Sequence, residues 1–377
     1  MNHQKAILER MNHAVTHIQE TVLAEKAKGR KVIGCTPIFV PEELVYATGA
    51  LPIGVWGSED VVYTRSAEYL PAYACSVVQG ILELSASHLY DCLDAVLLTG
   101  LCDTLKCMSQ ILQFSAPQLR SVFVRYPQNY RLEGGVQYLS NEFQRVKTQL
   151  EEITGTAVTE QMLHDSIELY NADRIELQKF SALLAQKPGL ISCRDRHTVI
   201  KSRLYMDVSE HLNLLHGLNE TLSAVPVPDF HGIRAYMSGV MTEPVALLDI
   251  MDELGFSVVG DELLQESRQF RQLVPQALSQ VERLVRYIQS IRGEAFLYDP
   301  QKERCGIIAE ECLQRQAKCV IFVQMKFCDT DEYDYPWIRK AAEAAGLSVL
   351  NLEIEQNMTS FEGVRTRLQA FAELLQS

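Results

Sequence analysis

The sequence predicts an α/β fold in which two doubly wound, Rossmann-like parallel-sheet domains enclose a helical segment. Short apolar stretches without polar alternation, typical of strands buried on both faces, alternate with helical periodicity in the first third of the chain. The alternation stops between Tyr138 and Leu222 and returns after a proline-containing linker, Val225–Asp229. This order of elements predicts two α/β domains separated by helices.

Residues 1–29 are predicted to form an N-terminal helix, because Ile7, Met11 and Val15 recur at spacings of four. The first α/β domain is predicted at 30–137 and the helical domain at 138–224. In the first α/β domain, strands are expected at 31–34, 51–56, 94–98 and 121–124, and helices at 41–49, 76–87 and 104–114.

The second α/β domain is predicted at 230–377. Its strands are expected at 233–237, 256–259, 318–323 and 348–352, and its helices at 244–254, 275–291, 336–345 and 361–375. The helix at 275–291 would begin with Pro275, at the position where a helix tolerates proline. The similar order of elements in the two α/β parts is compatible with an ancient duplication.

The composition limits the compartment and the partners. The 377 residues carry a net charge of −13, so we expect no binding to nucleic acid or to an anionic membrane surface. We find no signal peptide, and no apolar run approaches the ~20 residues of a membrane-spanning helix. A cytoplasmic location is therefore expected, where the ten cysteines stay reduced.

Three of these cysteines are candidates for a common site. Cys102 and Cys328 each follow an apolar strand and precede Asp-Thr, a pair that caps helices, and Cys75 directly precedes a helical stretch. A helix N-terminus carries partial positive charge and favours thiolate. Three thiolates without histidine suit an iron–sulfur cluster better than zinc, which prefers a closed set of four ligands. From spacing alone, scattered core thiols remain the alternative.

The residues themselves resemble a known family. The motifs are Val32–Gly49, Leu51–Gly57, Leu101–Lys106 and Gln324–Asp329. They are similar to the β subunits of the (R)-2-hydroxyglutaryl-CoA dehydratase type, in the 2-hydroxyacyl-CoA dehydratase and benzoyl-CoA reductase superfamily. The resemblance extends over nearly the whole chain.

The resemblance implies a 4Fe–4S cluster on Cys75, Cys102 and Cys328, of which Cys75 lies in a short matching motif, Leu70–Cys75. It also implies radical elimination of water from an (R)-2-hydroxyacyl-CoA, an α subunit as partner in a heterodimer, and an ATP-hydrolysing iron–sulfur activator. The resemblance leaves open whether a flavin, FMN, also binds. Two alternatives stay open as well: a benzoyl-CoA reductase-like subunit, and a non-catalytic cluster carrier that transfers electrons.

Other polar residues carry weaker expectations. The pair His13 and His17 is interpreted as a solvated helix face rather than a metal site, since no third ligand is evident. Arg65 and Arg268 are expected in loops, where either could contact a CoA phosphate or the α subunit, and Lys106 could face the cluster. The remaining cysteines are expected to be core or surface thiols: Cys35, Cys92, Cys107, Cys193, Cys305, Cys312 and Cys319.

Overall fold

The computed structural model describes residues 2–376, and its first part is a parallel sheet flanked by helices. The strands, in sheet order β2-β1-β3-β4, all run parallel. They are β1 (Val32–Cys35), β2 (Leu51–Gly54), β3 (Ala95–Thr99) and β4 (Ser121–Val124). The helices of this part are α1 (Asn2–Thr16), α2 (Ile18–Ala27), α3 (Glu42–Ala47), α4 (Ser76–Ala86) and α5 (Asp103–Ser115).

The middle of the chain is helical, as expected. Its helices are α6 (Glu133–Thr154), α7 (Glu160–Gln186), α8 (Cys193–Ser202) and α9 (Val208–Ala224). Side-chain caps fix where three of them begin: Thr159, Ser192 and Asp207 each accept a hydrogen bond from a backbone N–H of the first turn. Gly155 ends α6 in the left-handed conformation, at φ 75°.

A second parallel sheet follows, in the order β6-β5-β7-β8. Its strands are β5 (Ile233–Gly239), β6 (Phe256–Leu263), β7 (Cys319–Met325) and β8 (Ser348–Ile354). Its helices are α10 (Ala246–Glu253), α11 (Gln280–Ser290), α12 (Glu303–Gln314), α13 (Asp329–Glu332), α14 (Tyr335–Ala344) and α15 (Glu362–Gln376).

The two sheets share one topology, which confirms the predicted α/β fold with two parallel sheets. In each sheet the first strand lies between the second and the third, so the chain changes direction beside the first strand. Ligands of open α/β sheets bind beyond the carboxyl ends of the strands at such a switch point. Buried apolar residues of both sheets belong to one continuous hydrophobic cluster, which packs the two halves against each other.

Two helices differ from the sequence-based expectation. The N-terminal helix is interrupted at His17, where the Thr16 hydroxyl lies 2.8 Å from Nδ1 of His17 and donates to the carbonyl of Asn12. Such local side-chain bonds compete with the helix. The helix expected at 275–291 begins instead at Gln280, because the Ser279 hydroxyl caps it by accepting from the N–H of Glu282.

The expectation for Arg268 was wrong. Arg268 lies in a short 3-10 helix and is fully buried, where it pairs with Glu262 and Glu294. A CoA phosphate therefore has no access to it. Within the described residues, no helix has the length and apolar character needed to cross a membrane.

Candidate functional site

The three candidate cysteines all occupy the residue directly before a helix. Cys75 precedes α4, Cys102 precedes α5 and Cys328 precedes α13. Cys102 comes three residues after β3 and Cys328 three residues after β7, and these strands hold the same place in their sheets. The structure thus places each cysteine where the sequence predicted it, beyond the carboxyl end of a strand or at a helix start.

Backbone and hydroxyl groups contact two of the sulfur atoms. The Sγ atom of Cys102 accepts a hydrogen bond from the N–H of Leu105 at 3.4 Å. The Sγ atom of Cys328 lies 3.5 Å from the hydroxyl of Thr330. Both contacts come from the first turn of the helix that follows, where unpaired donors are concentrated. They favour negative charge on these sulfur atoms.

The three thiols influence one another electrostatically. Burial raises the pKa of Cys75 to about 12, and charge on the Cys102 thiol adds to this increase. Burial also raises the pKa of Cys328 well above its usual value, with further increases from Asp331 and from Cys75. Burial raises the pKa of Cys102, which the N–H groups of Leu105 and Thr104 oppose. Cys75 therefore lies close enough to Cys102 and to Cys328 for charge on one thiol to affect the pKa of another.

Residues of the second sheet hold the start of α4 in place. The buried hydroxyl of Ser76 donates to Sδ of Met325, at the end of β7, over 2.9 Å. The same oxygen accepts from the N–H of Gln356, also at 2.9 Å. The side-chain amide of Gln356 donates to the carbonyl of Trp56 at 3.0 Å. These contacts join the two halves of the molecule directly beside Cys75.

The segment before Cys75 is anchored within the first half. The carboxylate of Glu83, on α4, accepts hydrogen bonds from the N–H groups of Thr64 and Ser66, each at 2.8 Å. The phenol of Tyr63 donates to the carbonyl of Ser76 at 2.9 Å. The chain that leads to Cys75 is therefore tied back to the helix that Cys75 begins.

A cleft of about 560 Å³ opens between the two halves. Cys102 and Lys106 line one side, and Thr330, which contacts Cys328, lines the other. Its remaining wall includes the aromatic and acidic residues Tyr126, Tyr130, Phe296, Tyr298, Glu294 and Asp334. Lys106 is partly exposed, and its Nζ lies 3.1 Å from Oδ1 of Asp103. The cleft thus combines the Cys102 thiol with aromatic and charged groups from both halves.

The donor set can be compared with possible metal groups. In residues 2–376 no group of three or more histidine, cysteine, aspartate or glutamate side chains is arranged to hold a metal ion. A cubane cluster binds each cysteine through a different iron, so its ligands stand farther apart than those of a single ion. Three free thiols at helix N-termini are the donor chemistry of such a cluster. Three thiols without histidine suit such a cluster better than a structural zinc ion, which prefers a closed set of four ligands.

The other cysteines differ in exposure. Cys107 is exposed on α5, and Cys92 is half-buried with its Sγ atom 3.6 Å from the carbonyl of Leu89. The buried thiols among them are Cys35, Cys193, Cys305, Cys312 and Cys319.

Several residues in and beside the cleft were missed in the sequence. Glu294 and Tyr130 belong to segments without a motif, so no local signal marks them. Asp331 stands three residues after Cys328, in the Cys-Asp-Thr-Asp stretch, and two aspartates directly after a candidate ligand are a signal that the sequence does contain.

The His13 and His17 rings stack at 4.4 Å, and His13 pairs with Glu20 on an exposed face.

Comparisons with known proteins agree with this arrangement. The family model for the 2-hydroxyglutaryl-CoA dehydratase D-component matches residues 37–375. The β subunit of (R)-phenyllactyl-CoA dehydratase from Clostridium sporogenes is 36% identical over 96% of this chain and 95% of its own. The β subunit of lactoyl-CoA dehydratase from Anaerotignum propionicum is 36% identical over the full length of both chains. One of the subunits of benzoyl-CoA reductase from Thauera aromatica is 25% identical over 93% of this chain and 92% of its own. The chain therefore belongs to the 2-hydroxyglutaryl-CoA dehydratase D-component family and is a dehydratase subunit.

Proposed function

We propose that this chain is the β subunit of a 2-hydroxyacyl-CoA dehydratase and that Cys75, Cys102 and Cys328 hold a 4Fe–4S cluster. The observation that carries the proposal is the placement of three thiols at helix starts, with Cys102 and Cys328 beyond equivalent strands of the two sheets. The names of the relatives at 36% identity support the reaction class. They also support an α subunit as the partner in a heterodimer.

The cluster, when bound, supplies a one-electron redox couple and an iron with an open coordination position. This chain's own residues provide the thiolates, the N–H groups that favour their negative charge, and the cleft walls. The contacts of Ser76 with Met325 and Gln356 hold the first half against the second beside Cys75. The site is thereby fixed at the junction of two packed halves.

The proposed reaction removes water from an (R)-2-hydroxyacyl-CoA to give the 2-enoyl-CoA. One electron on the thioester carbonyl makes a ketyl radical anion, which expels the 2-hydroxyl group. The resulting enoxy radical has an acidic β-hydrogen, whose loss to a base balances the proton taken up by the leaving hydroxide. The electron is recovered at the end of the cycle, so there is no net redox change. The electron is first supplied by an ATP-hydrolysing iron–sulfur activator.

We assign substrate binding mainly to the α subunit, and electron relay and closure of the cleft to this chain. Dehydration by this chain plus the activator, without the α subunit, would contradict the assignment. Two lysines line the cleft, Lys106 and Lys302. With a net charge of −13, any contact with the anionic CoA depends on such local donors and on the partner.

The decisive experiment is anaerobic co-purification with the α subunit, followed by iron and sulfide analysis. We expect Cys102→Ala and Cys328→Ala to lose most of this chain's cluster iron. Cys107→Ala is the matched control, because Cys107 is exposed on the helix that Cys102 begins. Iron-free wild-type protein, or iron retained in both ligand variants, would refute the cluster assignment. Flavin analysis of the same sample decides whether FMN is a second cofactor.

The similarity to a benzoyl-CoA reductase subunit makes ring reduction the second candidate function. A dehydratase turns over without net consumption of reductant, whereas a reductase consumes it in proportion to product. A cluster carrier would show neither reaction with any partner. Measuring product and reductant together in the reconstituted complex separates the three.

A further inference from the structure

A cluster of buried charges lies behind Cys328 in the second half. We call it the buried arginine cluster, and it consists of Arg268, Arg304, Glu262 and Asp331. Each of the four is at most 2% exposed. Burying charged groups is unfavourable unless they are paired. Their arrangement therefore depends on mutual compensation.

Arg304 is the centre of the cluster. Its Nε atom donates to both carboxylate oxygens of Glu262, at 3.1 and 3.0 Å. Its Nη1 atom lies 2.6 Å from Oδ1 of Asp331, and Nη2 of Arg268 lies 3.6 Å from the same oxygen. Burial opposes the charge of Arg304, but the Asp331 and Glu262 carboxylates outweigh it and raise its pKa. Arg304 is thus held as a cation between two carboxylates.

Asp331 connects this cluster to the thiol. The N–H of Asp331 donates to the carbonyl of Cys328 at 3.0 Å, within the short helix α13. The carboxylate charge of Asp331 also contributes to the raised pKa of Cys328. Neither carboxylate oxygen has a well-aligned hydrogen-bond donor among residues 2–376. Ion pairing with the two arginines is therefore what offsets its burial.

The surroundings of Cys102 are different. The nearest acidic side chain in its helix, Asp103, is 98% exposed and pairs with the partly exposed Lys106. Water screens such a pair, so it changes the local potential little. Charges in the buried arginine cluster are screened much less. Of these two thiols, Cys328 is the one that has a buried carboxylate, Asp331, in the helix that it begins.

We propose that Arg304 is a positioning residue for Cys328, and that its charge, balanced against Asp331, sets the reduction potential of the group that the three cysteines hold. The inference rests on the proposed function. Removing the positive charge would make the surroundings of Cys328 more negative and reduction less favourable. Removing the negative charge of Asp331 would do the reverse.

The test is a potentiometric titration of the anaerobic complex with the α subunit, followed by electron paramagnetic resonance of this chain's cluster. We expect Arg304→Gln to shift the midpoint potential to a more negative value and Asp331→Asn to a more positive one. The double variant should return toward the wild-type potential. Arg304→Lys keeps the charge and should rescue most of the shift. Lys106→Gln is the control at the exposed pair and should shift it least.

Iron content is measured first, because absence of iron from the wild-type protein contradicts the proposed function itself. Loaded variants with the wild-type potential would overturn the inference while leaving the proposed function intact. If Arg304→Gln does not retain iron, the midpoint potentials of Asp331→Asn and Arg304→Lys test the inference. A potential unchanged in Asp331→Asn, or shifted in Arg304→Lys as much as in Asp331→Asn, overturns the inference as well.

Discussion

The two α/β halves share their strand order but differ in what surrounds their cysteines. In both, a cysteine stands three residues beyond the third strand and begins a helix. Cys102 is accompanied by an exposed ion pair, whereas Cys328 lies in front of buried arginines and carboxylates. The comparison shows that the shared topology fixes where the sulfur atoms of Cys102 and Cys328 lie. The side chains around each cysteine then determine its electrostatic environment.

The largest effect that would sharpen this comparison is expected at Arg304. Arg304→Met leaves Asp331 without its nearest cation, and breaking a buried pair in this way costs about 3–5 kcal/mol of the free energy of unfolding. Lys106→Met, at the exposed pair of the first half, should change it by less than about 0.5 kcal/mol. Urea unfolding of the iron-free chain measures both. Equal losses in the two variants would remove the distinction between the halves.

A smaller effect is expected where the halves meet. Ser76→Ala removes the acceptor for the N–H of Gln356 and the donor to Met325. Leaving a buried donor unsatisfied costs about 1–3 kcal/mol. Ser115→Ala is a suitable control, because that hydroxyl only bonds the carbonyl of Ile111 within its own helix. A loss no larger than in Ser115→Ala would show that this contact does not join the halves.

The smallest effect concerns pH. Burial raises the pKa of Cys328 above the unfolded value of about 8.5, so the thiol stays protonated in the folded chain after it has ionised in the unfolded one. Its contribution to stability is therefore complete below about pH 8.5 and declines as the pH rises, by about 1.4 kcal/mol per unit. Cys328→Ser should flatten this decline in the iron-free chain. A decline as steep in Cys328→Ser as in the wild-type chain would contradict the assignment of burial as the cause.

Iron loading should have the opposite dependence on pH. Thiols must lose their protons to bind metal, so loading improves as the pH rises toward the thiol pKa values. Because their raised pKa values keep the thiols protonated, loading is shifted to higher pH, where the iron-free chain is less stable.

The sequence supported the strands and the three cysteine positions because both depend on local patterns. Apolar runs mark β3 and β7, and Asp-Thr after Cys102 and after Cys328 marks a helix start. The buried arginine cluster left no such pattern. Arginine is exposed in most proteins, which is why a loop was expected for Arg268. The carboxylate partners of Arg268, which include Glu262 and Asp331, meet it only once the second half has folded.

The start of α11 shows the same limit on a smaller scale. Periodicity extended the helix back to Pro275, but the Ser279 hydroxyl caps it four residues later. A cap and a helical pattern compete locally, and the pattern alone does not say which prevails.

The distribution of the three cysteines along the chain has a consequence for biosynthesis. Cys75 and Cys102 leave the ribosome early, whereas Cys328 and Gln356 emerge only after most of the chain has been made. A nascent chain therefore exposes an incomplete set of thiols for most of its translation. Any group held by all three can therefore be completed only after Cys328 has emerged, when the strands of the second sheet up to β7 have also been made.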